Sequence, residues 1–64
     1  MKVNGKQATV SRSRWGVCVV WEDERMHCYT ARASGAEADA LTAKLDALGD
    51  VDTEKLRKLG LEAL

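Results

Sequence analysis

The sequence contains no stretch of roughly 20 apolar residues, the length that a membrane-spanning helix needs. Its first residues also lack the basic, apolar and small-residue regions of a secretory signal peptide. It has no proline and only two cysteines, whereas secreted chains of this size usually carry several cysteines that form disulfides. We therefore expect a cytoplasmic protein with no membrane segment, in which Cys18 and Cys28 are reduced thiols.

Motifs for catalysis and cofactor binding are missing as well. The five glycines are scattered and form no phosphate-binding loop, and no serine belongs to a Ser-His-Asp pattern. A chain of 64 residues also has little room for an enclosed substrate pocket. We expect a protein without catalytic activity, cofactor or metal.

One set of residues leaves an alternative open. Cys18, His27 and Cys28 are three potential metal ligands, but they lack the CxxC or HxxxH spacing of four-coordinate zinc sites. His27 and Cys28 are neighbours on a predicted strand, so they point to opposite faces and do not act together as base and nucleophile. A small metal- or redox-active protein that uses these three residues is therefore the lowest-ranked functional hypothesis.

The chain has no net charge, because ten basic residues balance ten acidic ones. The charges are unevenly distributed, however. Residues 1–34 carry six basic and three acidic side chains, a net charge of +3, and residues 35–64 carry four and seven, a net charge of −3. No global field directs the protein to nucleic acid or membrane, but its two halves are of opposite sign.

Alternation of apolar and polar residues predicts a β-hairpin over residues 14–33. One face of its first strand is apolar and aromatic: it holds Trp15, Val17, Val19 and Trp21. A two-residue turn at Asp23-Glu24 would place Trp21 opposite Met26. In this register the two cysteines point to opposite faces, and a disulfide between them would require a shift of one residue.

Both faces of the hairpin carry apolar side chains, so only one of them is core. We expect the tryptophan face to be buried, because it is the larger apolar surface. The other face is then exposed, and it holds Cys18, Val20, His27 and Tyr29.

The residues before this hairpin predict one further strand, at Lys6–Val10. Asn4-Gly5 is a strong signal for a type I′ turn, but only three residues precede it, so we predict no fourth strand.

The second half of the chain has helical periodicity. Ser34 and Glu37 form the pattern of a capping box, and an apolar stripe follows at Ala38, Leu41, Leu45 and Leu48. Gly49 is expected to end this helix. Asp52 is expected to cap a second helix, whose last turn Gly60 weakens.

These segments predict an α+β fold, a two-layer single domain of residues 1–64. A three-stranded antiparallel sheet at about 6–33 is followed by two helices at about 35–63.

The order of these residues resembles the arm-type DNA-binding domain of phage integrases. The resemblance covers about residues 6–48, and it rests on Trp15-x-Val17-x-Val19, a polar turn, Arg25-x-His27-x-Tyr29-x-Ala31, and a helix that opens with Glu37-Ala38. It implies a three-stranded sheet that enters the major groove of DNA. The residues that it implies at phosphates and base edges are Arg12, Arg14, Arg25, His27 and Arg32.

The sheet-then-helix layout also looks like that of several small phage proteins that bind and disable host machinery. The small size, the missing catalytic motifs and the two apolar sheet faces lead to our main hypothesis. It is a non-catalytic module, of phage or mobile-element origin, that docks on a larger protein as a regulator or inhibitor. Docking would use the exposed sheet face or the edge strand Lys6–Val10. The alternatives are duplex DNA as the partner and a homodimer. The predicted binding residues are Arg12, Arg14, Arg25, His27, Tyr29 and Arg32.

Overall fold

Six strands form one curled, mixed sheet, and two helices pack against one of its faces. The computed structural model describes all residues 1–64. In chain order the elements are β1 (Lys2–Val3), β2 (Lys6–Ser13), β3 (Gly16–Glu22), β4 (Met26–Arg32), α1 (Gly35–Ala47), β5 (Asp50–Val51), α2 (Thr53–Lys58) and β6 (Glu62–Ala63). The sheet order is β5-β1-β2-β3-β4-β6, in which only β1 and β5 run parallel. Neither helix has the length and apolar character needed to cross a bilayer.

The α+β class is confirmed, but the prediction of a three-stranded sheet followed by helices is wrong. The three additional strands have two residues each, too few for a periodic pattern in the sequence. β1 forms because Asn4 and Gly5, with φ angles of 51° and 80°, turn the chain back onto β2. β5 then joins β1, where the Asn4 N–H donates to the Val51 carbonyl over 2.8 Å. β1 therefore covers part of the strand that was predicted to be an edge.

The β3–β4 hairpin has a three-residue loop, and its register differs by one residue from the predicted one. Glu22 pairs with Met26, and Val20 pairs with Cys28. Asp23 stabilises the longer loop, because its Oδ1 accepts the Arg25 N–H over 3.1 Å and its own N–H donates to the Arg25 carbonyl. The shift brings both cysteines to the same face of the sheet.

The buried face of the sheet contains only part of the tryptophan face that was predicted to be core. Val17, Val19 and Trp21 are buried, as expected, but Trp15 lies in the turn before β3 and is 77% exposed. His27 and Tyr29, predicted to be exposed, lie on the core face because the register shift pairs them with Trp21 and Val19. The core is completed by residues of β1, β2 and the helical half, namely Val3, Ala8, Ala38, Leu45, Leu56 and Leu61.

Both helices begin where the sequence predicts. The Ser34 side chain makes no capping bond to α1, although its carbonyl accepts the Glu37 N–H over 3.2 Å. Asp52 caps α2 by accepting the Lys55 N–H over 2.8 Å.

The end of α2 differs from the expected frayed turn. The Leu61 N–H donates to the Leu56 carbonyl and the Gly60 N–H donates to the Arg57 carbonyl, each over 3.0 Å. These two bonds, with Gly60 at φ = 96°, form a Schellman motif. Gly60 therefore ends the helix in an ordered way, and the chain continues into β6 at the edge of β4.

Candidate binding groove on the outer sheet face

A groove of about 440 Å³ lies on the outer face of the sheet, the face that alternates with the core positions of β3 and β4. We call it the outer groove. Trp15 and Leu64 are its large apolar side chains, and they are 77% and 91% exposed. Its lining also includes Cys18, Cys28, Thr30 and Arg32. The groove therefore combines exposed apolar surface with few charges.

Trp15 is held outward by the tight turn between β2 and β3. The backbone N–H of Trp15 donates to Ser13 Oγ over 3.2 Å. The next residue, Gly16, lies against the backbone of β4. The guanidinium carbon of Arg14 lies 5.9 Å from the centre of the Trp15 ring, a cation–π distance. The indole is thus presented to solvent from a backbone with defined hydrogen bonds.

Leu64 reaches the groove because the last residues extend the sheet. β6 pairs Ala63 with Tyr29, and the Leu64 N–H donates to the Cys28 carbonyl over 2.9 Å. Hydrogen bonds consequently hold the backbone of both residues that supply the large apolar side chains of the groove.

Positive charge borders the groove at its Trp15 end. Arg14 and Arg32 line a neighbouring cleft together with Trp15, and Glu37 is the one carboxylate of that cleft. This end of the molecule therefore carries a net positive charge.

The predicted binding residues do not form one surface. Arg14 and Arg32 lie together beside Trp15, whereas Arg25 and His27 line a polar cleft with Lys6, Asp23 and Glu24 around the β3–β4 loop. The seven residues of β3 separate these two ends by about 23 Å. Arg12 forms an ion pair with Asp39 of α1.

His27 and Tyr29 belong to an aromatic cluster at the core. The His27 ring stacks on Trp21 with ring centres 5.1 Å apart, and Tyr29 lies 5.3 Å from the same indole. The Tyr29 hydroxyl accepts a hydrogen bond from Arg57 of α2 over 3.2 Å. These contacts connect α2 to the sheet, and Tyr29 is only 7% exposed.

The Asp23 carboxylate at the β3–β4 loop should titrate abnormally low. Its pKa lies below the ordinary value of 3.8, first because the Arg25 N–H donates to it and second because of the hydrogen bond with His27. Its ionised form stabilises the folded state above pH 3.8, and this contribution is lost as the pH falls through the lowered pKa. We expect the carboxyl ¹³C shift of Asp23 to titrate with a midpoint below 3.8.

The control for this expectation is Asp23→Asn, which keeps an acceptor for the Arg25 N–H but removes the charge. Thermal unfolding of this variant should depend less on pH in the acid range than unfolding of the unaltered protein does. A midpoint for Asp23 at or above its ordinary value would show that the loop bonds are not formed in solution.

The three potential metal ligands are not brought together. Cys18 and Cys28 lie on the outer face, while His27 lies on the core face. No group of three or more His, Cys, Asp or Glu side chains is arranged to hold a metal ion.

Sequence reasoning weighed Trp15 as an interaction residue but assigned it to the core, and it did not identify Leu64 as part of the outer groove. Trp15 continues the alternation of β3, which is why it was assigned to the core, and the glycine that follows it was the available signal for a turn. Leu64 gave no local signal, since its position depends on β6. No protein-family model matches this chain, and no curated protein or solved structure shows significant similarity to it.

Proposed function

We propose that this protein is a non-catalytic binding module that docks on a larger protein through the outer groove and regulates that partner by occupying its surface. The observation that carries the proposal is the 77% exposure of Trp15 on a hydrogen-bonded turn. Exposed tryptophan and arginine are the residue types that most often dominate binding energy at protein interfaces.

The construction of the turn supports a role for Trp15 in binding. An exposed indole on a mobile loop loses conformational entropy when it binds, and this loss reduces affinity. Trp15 is instead placed by the Ser13 hydrogen bond and by the close contact of Gly16 with β4. Leu64 adds a second exposed apolar side chain to the same groove.

The charges favour a particular partner chemistry. Arg14 and Arg32 flank Trp15, so the partner should present an apolar pocket for the indole with carboxylates at its border. A symmetric dimer formed through the outer groove would bring the arginines of the two copies close together, which opposes self-association through this face. A standard interface of about 800 Å² per partner would cover about a fifth of the 4419 Å² surface of this protein.

The test compares Trp15→Ala with Met26→Ala. Met26 is also an exposed apolar residue of the outer face, 60% exposed, but it lies outside the outer groove. Partners captured from lysate of the cells that encode the protein are identified by mass spectrometry, purified and titrated calorimetrically. We expect one-to-one binding, weakened about 30-fold or more by Trp15→Ala and changed little by Met26→Ala.

A parallel amide NMR titration with mixed-sequence duplex DNA, at low and moderate salt, tests the DNA alternative. Sedimentation of the free protein tests the homodimer.

Arg14→Glu should weaken binding to the protein partner and reduce the salt dependence of that binding. Partners that bind Trp15→Ala as tightly as the unaltered protein would exclude the groove as the docking site. Salt-sensitive shifts with DNA at Arg14 and Arg32 would transfer the function to nucleic acid.

A further inference from the structure

The two cysteines lie side by side in the outer groove. Cys18 pairs with Thr30 and Val20 pairs with Cys28, so the cysteines occupy diagonal positions on neighbouring strands and share one face. Their Sγ atoms are 2.9 Å apart, and both residues are half-buried. The two thiols therefore point at each other across the β3–β4 hairpin.

The two sulfur atoms lie close enough to form a covalent bond after a small movement. An S–S bond is about 2.05 Å long, so the sulfur atoms must approach by about 0.9 Å. Ideal diagonal positions have Cα atoms about 7–8 Å apart, slightly beyond the usual disulfide span of about 4.4–6.8 Å. The sulfur atoms of Cys18 and Cys28 are nevertheless in contact, because the twist of the hairpin brings these diagonal side chains together.

The surroundings favour chemistry between the two thiols over metal binding. Structural zinc sites use four ligands, and here the only histidine lies on the opposite face of the sheet. The direct neighbours of Cys18 on β2 and β4 are the uncharged Ser11 and Thr30. The charged groups of the same face are Glu22, diagonal to Cys28 on β3, Arg32 further along β4, and Glu62 on β6.

Burial makes Cys18 a slow nucleophile toward external reagents. Burial, followed by the hydrogen bond with Cys28 and the charge of its thiolate, raises the pKa of Cys18 from 9.0 to about 11. Because the thiolate is the nucleophile, Cys18 reacts slowly with external reagents at neutral pH. In the second step of disulfide formation the two sulfur atoms already lie in contact, and this proximity compensates for a small thiolate fraction.

We propose that Cys18 and Cys28 form a reversible intramolecular disulfide, with a small-molecule disulfide such as oxidised glutathione as the oxidant. One of the two cysteine thiolates attacks one sulfur of the oxidant, which gives a mixed disulfide and releases one small thiolate. The other cysteine then gives its proton to solvent, attacks the Sγ of the first and expels the second small thiolate. The protein loses two electrons and two protons, and the oxidant becomes two thiols.

The bond would join β3 to β4 and fix the floor of the outer groove. Its formation does not depend on the docking partner, so it is tested with the purified chain alone. The full chain is equilibrated in glutathione buffers of increasing oxidising power, quenched with acid, alkylated and analysed by intact mass and peptide mapping. The same series is repeated in concentrated urea, where the chain is unfolded.

We expect an internal disulfide between residues 18 and 28 that forms at least about tenfold more readily in the folded chain than in urea, because folding already brings the thiols together. The oxidised protein should then melt roughly 10 °C higher than the reduced one. Cys18→Ser and Cys28→Ser should yield only mixed disulfides with glutathione. Formation no more favourable in the folded chain than in urea, or only mixed and intermolecular disulfides in the most oxidising buffer, would overturn the proposal.

Discussion

Gly16→Ala should destabilise the chain severely. A β-carbon at this position would lie 2.0 Å from the Ala31 carbonyl oxygen and 3.0 Å from the Arg32 Cα, and both are backbone atoms that no side-chain rotation can move away. Gly16 pairs with Ser13 on one side and Arg32 on the other, so relief of the clash separates three strands at once. We expect a loss of about 3 kcal/mol or more in the free energy of unfolding.

A loss of this size is severe for so small a domain. A total stability of about 3–10 kcal/mol is typical for 64 residues, and the melting temperature should fall by at least roughly 12 °C. Gly49→Ala is the matched control, because a β-carbon there meets no atom within 4 Å. Its unfolding free energy should change by less than about 1 kcal/mol. Equal stabilities for the two alanine variants, measured by urea denaturation, would contradict the close packing of β3 on β4.

Local signals in the sequence located the three long strands and both helix starts. Alternation over Val17, Val19 and Trp21 predicts β3 because all three side chains face the core, and Asp52 predicts α2 because the cap bond spans only three residues. The two-residue strands β1, β5 and β6 could not be predicted from local signals. β5 exists only because β1 is beside it, and a two-residue strand has no periodicity of its own.

Whether the two cysteines share the outer groove depends on the length of the β3–β4 loop, which is one residue longer than predicted. A two-residue turn separates the cysteines, whereas the three-residue loop stabilised by Asp23 brings their sulfur atoms together. The same shift moves Tyr29 from the expected outer face to the core. Aspartate in a turn is compatible with several loop lengths, so the sequence identified the hairpin but not its register.

Leu61→Ala should destabilise the protein by about 2–5 kcal/mol, since it removes a fully buried side chain and leaves a cavity. The sequence places Leu61 off the apolar stripe of α2, after a glycine, where a frayed end was expected. In the structure it is 0% exposed, and its N–H donates to the carbonyl of Leu56, itself fully buried. The Schellman motif turns the chain so that Leu61 enters the core before β6 begins.

Leu64→Ala provides the comparison within the same short segment. Leu64 is 91% exposed, so its truncation should change the unfolding free energy by no more than about 0.5 kcal/mol. Urea denaturation of both variants measures the difference directly. If Leu61→Ala costs as little as Leu64→Ala, residues 60–64 are frayed in solution, and β6 does not hold Leu64 in the outer groove. A large difference between the two instead means that the turn after α2 holds Leu61 in the core in solution, as the bond from the Leu61 N–H to the Leu56 carbonyl requires.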